Sequence, residues 1–455
     1  MGIERTILLR ERALLLVPQV LDPVLGIPAC LGGRYATLFD RDMADSATQS
    51  LREVSNARIP GLVDAAKKSI DIVNEHKGVE DDPESGEEPD RRLHEIYLPI
   101  NSPTQHQRLK LLKRCGMPVK TDKKTGYPYM VNYFAGDANG KLVQVILAVA
   151  EAIDMTNDRS RGDEYLGAMW SEVQSAVAHN IRNTQKHGEG VVVTDPRNKC
   201  GFEAQTWGDG IGRYRREDGR KLEKGSKIFY SNAVNAIRGY GSASIIAERL
   251  GYGKEANDYA LEFEAGKERV DKLLWSDKLQ TYMPAIDRNG PFEVVNDDPI
   301  DGLYCGVIPE ERADRVIGRL LEPDMLTQYG IRTRSKRSRF YTEGGFLAYQ
   351  NGSIWPNRNT MAVLGMADYG YENEAWFVAE AVDNYVEEAG FAELKLCTRR
   401  DEELRSYLER GKEVVPQVQS WALFGYLGVS AWAIRRHEEQ TLLAQTSSPQ
   451  RSLVA

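Results

Sequence analysis

Asp209 stands in a segment whose composition would suit proton transfer by a carboxylic acid. In segment 205–210 it follows the indole of Trp207 and lies between Gly208 and Gly210. A carboxyl group beside an apolar wall can have a raised pKa, and indole is also a side chain on which the apolar faces of sugar rings stack. Asp and Gly equally favour ordinary turns, in which the carboxylate accepts backbone N–H groups. Asp209 is therefore a candidate general acid, with a structural turn as the alternative.

A second carboxyl group, Glu393, comes shortly after a predicted helix that Gly390 ends. A carboxylate past a helix end lies near the negative end of the helix dipole, which is compatible with a catalytic role. Glutamate is usually solvated, so a surface side chain is the alternative interpretation. If a base is needed, Glu343, Glu402 and Glu403 stay open beside Glu393 as candidates for it.

The loop 349–357 crowds amide, aromatic and glycine residues together just before a predicted helix. Side-chain amides make the directional hydrogen bonds that sugar hydroxyls need, and Trp355 would be a second stacking platform. The alternative is a hairpin loop around a buried tryptophan. Arg41 and Asp42 open another helix, where they could clamp hydroxyl groups or stabilise the helix start. His94 belongs to a polar loop, and a lone histidine is more often structural than catalytic.

These candidates need a scaffold, and apolar residues recur along the chain at helical spacing, which predicts an all-α protein. Strand-like alternation is scarce. The connections rich in Gly, Pro and Asp are long, and such loops usually build a functional surface. About a dozen helices joined by alternating short and long connections would form a toroid of helical hairpins. The predicted helices span 43–54, 142–153, 226–250, 256–275, 310–321, 373–389 and 417–436, and the long connections include 195–225, 287–301 and 350–359.

Composition excludes several classes of partner. The 455-residue chain is 41% hydrophobic and 28% charged, which is enough to bury a sizeable core. Its formal charge of −8 includes no basic stripe, which argues against nucleic acid and membrane surfaces as partners. The amino terminus resembles neither a secretory signal nor a membrane span, so we expect a cytoplasmic protein. Scattered cysteines and the absence of an H-E-x-x-H motif lead us to expect no disulfide, catalytic metal or cofactor.

Taken in order, these segments resemble the glycogen-debranching, amylo-α-1,6-glucosidase type of (α/α)6-barrel hydrolase. The most specific run is N-G-S-I-W-P at 351–356, similar to the family's H-N-G-S-V-W-P. The chain departs from the family at Gln350, where many relatives have histidine, and at Ala392, where relatives have proline. Further similar runs are F-D-R-D at 39–42, L-H-E at 93–95, Y-F-A-G-D at 133–137, T-W-G-D at 206–209, E-L at 393–394 and Q-S-W at 419–421.

The resemblance implies a lead-in segment at 1–33, an (α/α)6-barrel catalytic domain at 34–437 and a disordered tail at 438–455. It also implies hydrolysis of an α-glucosidic linkage with inversion, in which Asp209 protonates the glycosidic oxygen and Glu393 deprotonates water. An α-1,6-branched glucan and a small α-glucoside or oligosaccharide both fit as the carbohydrate substrate. The residues expected to bind it are Arg41, Asp42, His94, Glu95, Asp137, Trp207, Gln350, Asn351, Gly352, Trp355, Gln419 and Trp421.

Three other functions stay open at this stage. An inverting disaccharide phosphorylase on the same barrel would need a phosphate-binding cluster, for which the sequence offers only 398–400. A catalytically inactive carbohydrate-binding protein would keep the aromatic platforms without a working acid–base pair. A sugar epimerase would want paired histidines as acid and base, and only His94 is a candidate.

Overall fold

Helices form the framework of the chain, and its strands are short. A computed structural model describes residues 2–31, 37–52, 59–99, 101–114, 116–156, 159–196, 204–210, 212–398, 400, 403–409, 412–413 and 417–447. The helices are α1 (Ile3–Leu14), α2 (Val17–Val20), α3 (Asp40–Leu51), α4 (Leu62–Glu75), α5 (Pro103–Arg114), α6 (Ala138–Thr156), α7 (Arg159–His187), α8 (Tyr230–Arg249), α9 (Gly253–Leu274), α10 (Pro299–Tyr304), α11 (Glu310–Leu320), α12 (Pro356–Asp368), α13 (Glu372–Ala389) and α14 (Ser420–Ser447).

The strands pair in small antiparallel sheets with the orders β1-β2-β4-β3, β5-β8-β9, β12-β13-β14, β6-β7, β10-β11 and β15-β16. A 3-10 helix spans Phe346–Gln350. The strands are β1 (Leu38–Phe39), β2 (Glu95–Tyr97), β3 (Val119–Thr121), β4 (Pro128–Asn132), β5 (Ile228–Phe229), β6 (Trp275–Ser276), β7 (Thr281–Tyr282), β8 (Ala285–Asp287), β9 (Gly290–Pro291), β10 (Leu326–Thr327), β11 (Gly330–Ile331), β12 (Ser353–Ile354), β13 (Lys395–Cys397), β14 (Leu404–Arg405), β15 (Leu408–Glu409) and β16 (Lys412–Glu413).

Six helices close into a ring. Helices α3, α6, α8, α10, α12 and α14 contact one another in that order, and α14 returns to α3. Each is preceded in the chain by an outer helix, in the order α1, α4, α7, α9, α11 and α13. The outer helix α4 packs against α3 and α6, α7 against α6 and α8, and α13 against α12 and α14. This arrangement of six outer–inner hairpins is an (α/α)6 toroid, which confirms the predicted fold class.

Glycine allows the inner helices to approach one another closely. At five contacts around the ring, a glycine of one helix faces a neighbour that a Cβ atom would meet. At the remaining contact, between α3 and α6, Asp45 and Lys141 form a buried ion pair. Because helices pack at native density only where side chains leave room, these positions set the spacing of the ring. The glycines are Gly140 on α6, Gly302 on α10, Gly365 on α12, and Gly425 and Gly428 on α14.

The inner helix α3 shows how the toroid buries a polar sequence. Every residue of Asp40–Leu51 is buried, although the segment carries aspartates, hydroxyls and an amide. The hydroxyl groups of Ser46 and Ser50 donate to carbonyl oxygens one turn earlier, and Gln49 accepts a hydrogen bond from Thr360 of α12. Such bonds offset the cost of removing polar groups from water, so a helix at the centre of the ring needs no solvated face.

The inner helices begin at a common end of the toroid. Arg41, in the first turn of α3, forms an ion pair with Asp137, directly before α6. Asp42 accepts a hydrogen bond from Gln419, directly before α14. Another ion pair joins the first turns of α10 and α12. Strands β1, β4, β5 and β12 lead into inner helices, so the loops that precede these helices converge at one end.

Several predicted boundaries differ from the structure. The helix predicted at 43–54 begins at Asp40, so Arg41 and Asp42 lie in its first turn. Helix α14 extends to Ser447, so residues 438–447 are helical and not part of a disordered tail, whereas 448–455 lie outside the described residues. Helices α4, α5, α7 and α10 were not predicted. Among the described helices, none combines the length and the hydrophobicity that a membrane span needs.

A methyl group added at a ring contact should destabilise the toroid. We expect Gly428→Ala to lower the free energy of unfolding by about 1 to 3 kcal/mol, because its Cβ would meet the Gln49 backbone of α3. Gly167→Ala on the outer helix α7 is the matched control, since a Cβ there meets nothing within 4 Å and alanine favours helix. Chemical denaturation measures both changes. Equal effects of the two substitutions would contradict a packing role for Gly428.

Candidate active site

The loop between α7 and α8 carries Asp209, and packing requires both of the glycines beside it. A Cβ atom at Gly208 would collide with a neighbouring arginine side chain, and one at Gly210 would collide with Gln350. The backbone N–H of Gly210 donates to Gln350 Oε1 (2.6 Å), and Gln350 Nε2 donates to the carbonyl oxygen of Trp207 (2.8 Å). The small residues around the candidate acid are therefore explained by the side chains packed on either side of its loop.

The Trp207 side chain supports this loop from inside the protein. The residue is only 4% exposed, and its Nε1 donates to Asp298 Oδ1 (2.9 Å). The guanidinium groups of Arg213 and Arg358 each lie 4.3 Å from the centroid of the indole ring, within cation–π range. A ring covered in this way presents no face to a sugar. Trp207 is therefore a buried side chain that supports the loop carrying Asp209, and not the stacking wall that was predicted.

Five buried charges form the network around this indole. Arg213 pairs with Asp297 (2.8 Å) and Asp298 (2.5 Å). Arg358 pairs with Asp297 (3.3 Å) and Asp301 (2.9 Å). Buried charges need partners, and pairs of this kind fix geometry more than they add stability. None of the five was predicted from the sequence, where the available signal was the D-D-P-I-D run inside a long connection.

Glu393 lies in the connection between α13 and β13 and is 4% exposed. The hydroxyl group of Tyr349 donates to its Oε1 atom (2.8 Å). The other candidates for a base have different surroundings: Glu403 forms a surface ion pair with a neighbouring arginine, and Glu343 is half-buried in a loop. Glu402 lies outside the described residues. Of the three that the structure describes, Glu393 is the buried carboxyl group, and Tyr349 of the 3-10 helix donates to it.

Two polar pairs from α3 form another wall of the site. Arg41 Nε donates to Asp137 Oδ2 (2.9 Å), and Gln419 Nε2 donates to Asp42 Oδ2 (3.1 Å). Burial alone would raise the pKa of Asp137, but the charges of Arg41 and Lys141 and the hydrogen bond from Arg41 together outweigh burial, so the pKa is lowered. Burial raises the pKa of Asp42 well above its usual range, with Arg41 opposing the shift and Glu393 adding to it. Asp42 and Glu393 are therefore electrostatically coupled carboxyl groups.

Asp209 has the electrostatic surroundings of a proton donor. Removal from water raises its pKa to about 6, with Arg41 opposing the shift and Asp137 adding to it. An acid with a pKa near the working pH donates a proton most effectively. Burial also raises the pKa of Glu95 to about 7 and lowers the pKa of His94 to about 3. The His94 imidazole is consequently neutral at physiological pH.

The loop residues Asn351, Gly352 and Trp355 are placed as structural supports. Asn351 Oδ1 accepts from Arg334 (3.2 Å), and Trp355, which is 1% exposed, donates from Nε1 to the Tyr349 carbonyl oxygen (3.1 Å). Gly352 has a φ of +127°, a conformation that L side chains rarely adopt. Trp355 is therefore not the open stacking platform that was predicted.

His94 and Glu95 are buried where β2 begins. The His94 ring meets Phe39 edge-on at 5.5 Å, and its Nδ1 lies 4.0 Å from Asp40 Oδ1. Glu95 Oε2 accepts a hydrogen bond from Asn132 of β4 (3.1 Å). Both residues lie beside the helix that carries Arg41 and Asp42, because β1 pairs with β2 immediately before α3.

Some buried polar atoms lack a hydrogen-bond partner within the described part of the chain. Among them are both amide atoms of Asn357, Oε1 of Gln419 and Nε1 of Trp421. Buried polar groups almost always find partners, so a sugar hydroxyl or water is expected to satisfy them. Gln419 donates to Asp42, and Trp421 meets Trp355 edge-on at 5.7 Å, so Gln419 contacts the wall formed by α3 and Trp421 contacts the 349–357 loop. Asn357 was not nominated from the sequence, although it directly follows the N-G-S-I-W-P run.

Asp209, whose pKa is raised, and the buried Glu393 lie in loops of an (α/α)6 toroid, and a pair of carboxyl groups is what glycoside hydrolysis needs. The chain belongs to the family defined by the mannosylglycerate hydrolase MGH1-like glycoside hydrolase domain, which matches residues 143–395, more than half of its length. It is thus a glycoside hydrolase of the barrel type expected, whereas membership of the debranching type is not what the match supports. No curated protein matches the chain.

Solved structures share the fold at low sequence identity. A GH63 mannosylglycerate hydrolase from Thermus thermophilus in complex with Tris has a TM-score of 0.64 and 14% identity, covering 93% of this chain and 100% of that chain. The complex with glucose has a TM-score of 0.63 and 14% identity, covering 93% and 99%. An uncharacterised conserved protein from the same organism has a TM-score of 0.62 and 15% identity, covering 93% and 100%.

The pKa of Asp209 predicts the alkaline limb of the pH–activity profile. A general acid works in its protonated form, so kcat/KM for an uncharged α-glucoside should fall about tenfold per pH unit above a pH of about 6. Glu95→Gln is the control, because Glu95 titrates in a neighbouring range. Loss of the limb in that variant would assign it to Glu95 and contradict the role of Asp209.

Proposed function

We propose that this chain hydrolyses the α-glycosidic bond of a small neutral glucoside with inversion. Protonated Asp209 gives its proton to the glycosidic oxygen, while ionised Glu393 takes a proton from the water that attacks the anomeric carbon on the opposite face. One observation carries the proposal: the acid's loop and the buried glutamate are hydrogen-bonded to consecutive residues, Gln350 and Tyr349. Proton exchange with solvent then restores both groups.

The sugar hydroxyls have partners of suitable chemistry in this proposal. The amide of Asn357, Oε1 of Gln419 and Nε1 of Trp421 supply both donors and an acceptor without breaking any described hydrogen bond. Asp42, which Gln419 holds, supplies a carboxyl group beside Glu393. Hydroxyl groups satisfy such buried atoms as water does, so binding fixes the glucosyl ring by directional bonds.

The charges of the site favour a neutral substrate. A glycerate group, as in the names of the relatives, would bring a carboxylate that needs a cationic partner. Four buried cations, Arg41, Lys141, Arg213 and Arg358, each pair with at least one buried carboxylate already, and the buried Arg334 pairs with the more exposed Glu217. An additional anion would have to compete with these carboxylates in a site of low dielectric. Small α-glucosides and short α-1,6-linked oligosaccharides are therefore the favoured substrates.

The surroundings of Arg400, His94 and Asp209 disfavour the three alternative functions. A phosphorylase would need to bind phosphate, and the candidate cluster at 398–400 offers an exposed Arg400, with Arg399 outside the described residues. The low pKa of His94 disfavours it as the acid of an epimerase. The raised pKa of Asp209 favours a working acid over a binding protein that has lost catalysis.

Removing either catalytic carboxyl should abolish turnover without unfolding the protein. We expect Asp209→Asn and Glu393→Gln each to lower kcat at least about a hundredfold, because each removes one proton transfer. The matched controls are Asp218→Asn and Glu403→Gln, whose carboxylates form exposed ion pairs with neighbouring arginines. Activity is measured by sugar release, and folding by thermal denaturation. Normal turnover in either catalytic variant would remove that residue from the mechanism.

The substrate is tested by sugar release from small α-glucosides, branched dextrins and mannosylglycerate, with and without phosphate. We expect glucose from the neutral glucosides at a rate that phosphate does not change. Preference for mannosylglycerate would contradict the argument from charge. Release that requires phosphate would make the protein a phosphorylase, and binding without release would make it a carbohydrate-binding protein.

A further inference from the structure

We propose that Tyr349 and Gln350 are a pair of positioning residues, each of which holds a different catalytic carboxyl group. The inference rests on the proposed function, because it takes Asp209 as the acid and Glu393 as the base. Tyr349 donates its hydroxyl hydrogen bond to Glu393 Oε1 (2.8 Å). Gln350 accepts from the backbone N–H that follows Asp209 (2.6 Å). Two adjacent residues thus bond to Glu393 and to the loop that carries Asp209.

Two aromatic rings and two hydrogen bonds to its backbone hold Tyr349 in place. Its ring meets Trp355 edge-on at 5.0 Å and Tyr407 at 5.3 Å. Its carbonyl oxygen accepts hydrogen bonds from Trp355 Nε1 (3.1 Å) and from Ser353 Oγ (2.5 Å). With ring and backbone held, the hydroxyl group is a rigid donor aimed at Glu393. A hydrogen bond donated to a carboxylate stabilises its ionised form, which is the form a base needs.

Gln350 acts on the other carboxyl through the backbone of its loop. Its side chain is 2% exposed and uses both amide atoms, accepting from Gly210 N and donating to the Trp207 carbonyl oxygen. These two bonds bracket Asp209 in the sequence. The space that Gln350 fills exists because residue 210 has no Cβ atom. A shift of the loop would move the acid from the glycosidic oxygen, and small misplacements of catalytic groups are costly.

The two residues should consequently affect different parts of the reaction. Loss of the Tyr349 hydroxyl makes protonation of the base easier, so the acidic limb of the pH profile shifts to higher pH. Loss of the Gln350 amide misplaces the acid, so the loss of rate depends on how much protonation the leaving group needs. An alkyl α-glucoside needs full protonation, whereas α-glucosyl fluoride departs with little help. A residue that supports the fold alone would produce neither pattern.

The experiment compares Tyr349→Phe and Gln350→Leu on both substrates across the pH range. For Tyr349→Phe we expect the acidic limb to shift to higher pH by about half to one pH unit, with similar rate losses on the two substrates. For Gln350→Leu we expect at least about a tenfold loss on the alkyl glucoside and less than about threefold on the fluoride. Tyr341→Phe is the matched control, because it removes a buried hydroxyl that bonds to the Cys397 carbonyl oxygen and should move neither limb.

Two results would overturn this inference. One is an acidic limb in Tyr349→Phe that stays at the wild-type pH or moves as it does in Tyr341→Phe. The other is a Gln350→Leu rate loss of equal size on both substrates. Failure of the proposed function itself is recognised separately, because Asp209→Asn or Glu393→Gln would then retain turnover on the alkyl glucoside. Thermal denaturation of each variant separates these outcomes from loss of the folded protein.

Discussion

The pairing of buried charges around Trp207 is the constraint on which the active site depends. Charged side chains removed from water need partners, and here Arg213 and Arg358 share three aspartates that belong to the start of α10. The two guanidinium groups also cover the indole. Because α10 and α12 are neighbours in the ring, the network joins the acid's loop to the toroid itself.

Asp209 differs from these aspartates in one respect that matters for chemistry. The network aspartates form ion pairs with arginine, whereas no ion pair of Asp209 occurs within the described residues. Partial burial without such a partner leaves its proton held at a pKa of about 6. Asp209 thus joins Glu95 and Asp42 among the buried carboxyl groups whose pKa is raised, whereas the cation beside Asp137 lowers the pKa of that carboxyl group. Gln350 then secures the position of this acid by bonding to neutral backbone groups.

The toroid could be predicted because long helices such as α8 and α13 carry apolar residues at helical spacing, which is visible in the sequence. Helix α7 was not predicted, because few of its residues are buried and many of the others are polar or charged. The strands are two to five residues long, too short for any alternation to be visible. The structure also reverses the expectation for Trp207 and Trp355, since composition cannot tell an exposed indole from one enclosed by its own protein.

The candidate carboxyls were nominated from local composition and resemblance, but their anchoring was not predictable. The hydrogen bonds of Tyr349 and Gln350 to partners 44 and 140 residues away depend on the closed ring.

The most direct test of inverting hydrolysis is a proton NMR spectrum recorded within the first minutes of α-glucoside cleavage. Hydrolysis with inversion forms β-glucose first, which then mutarotates, whereas α-glucose as the first product would contradict inversion.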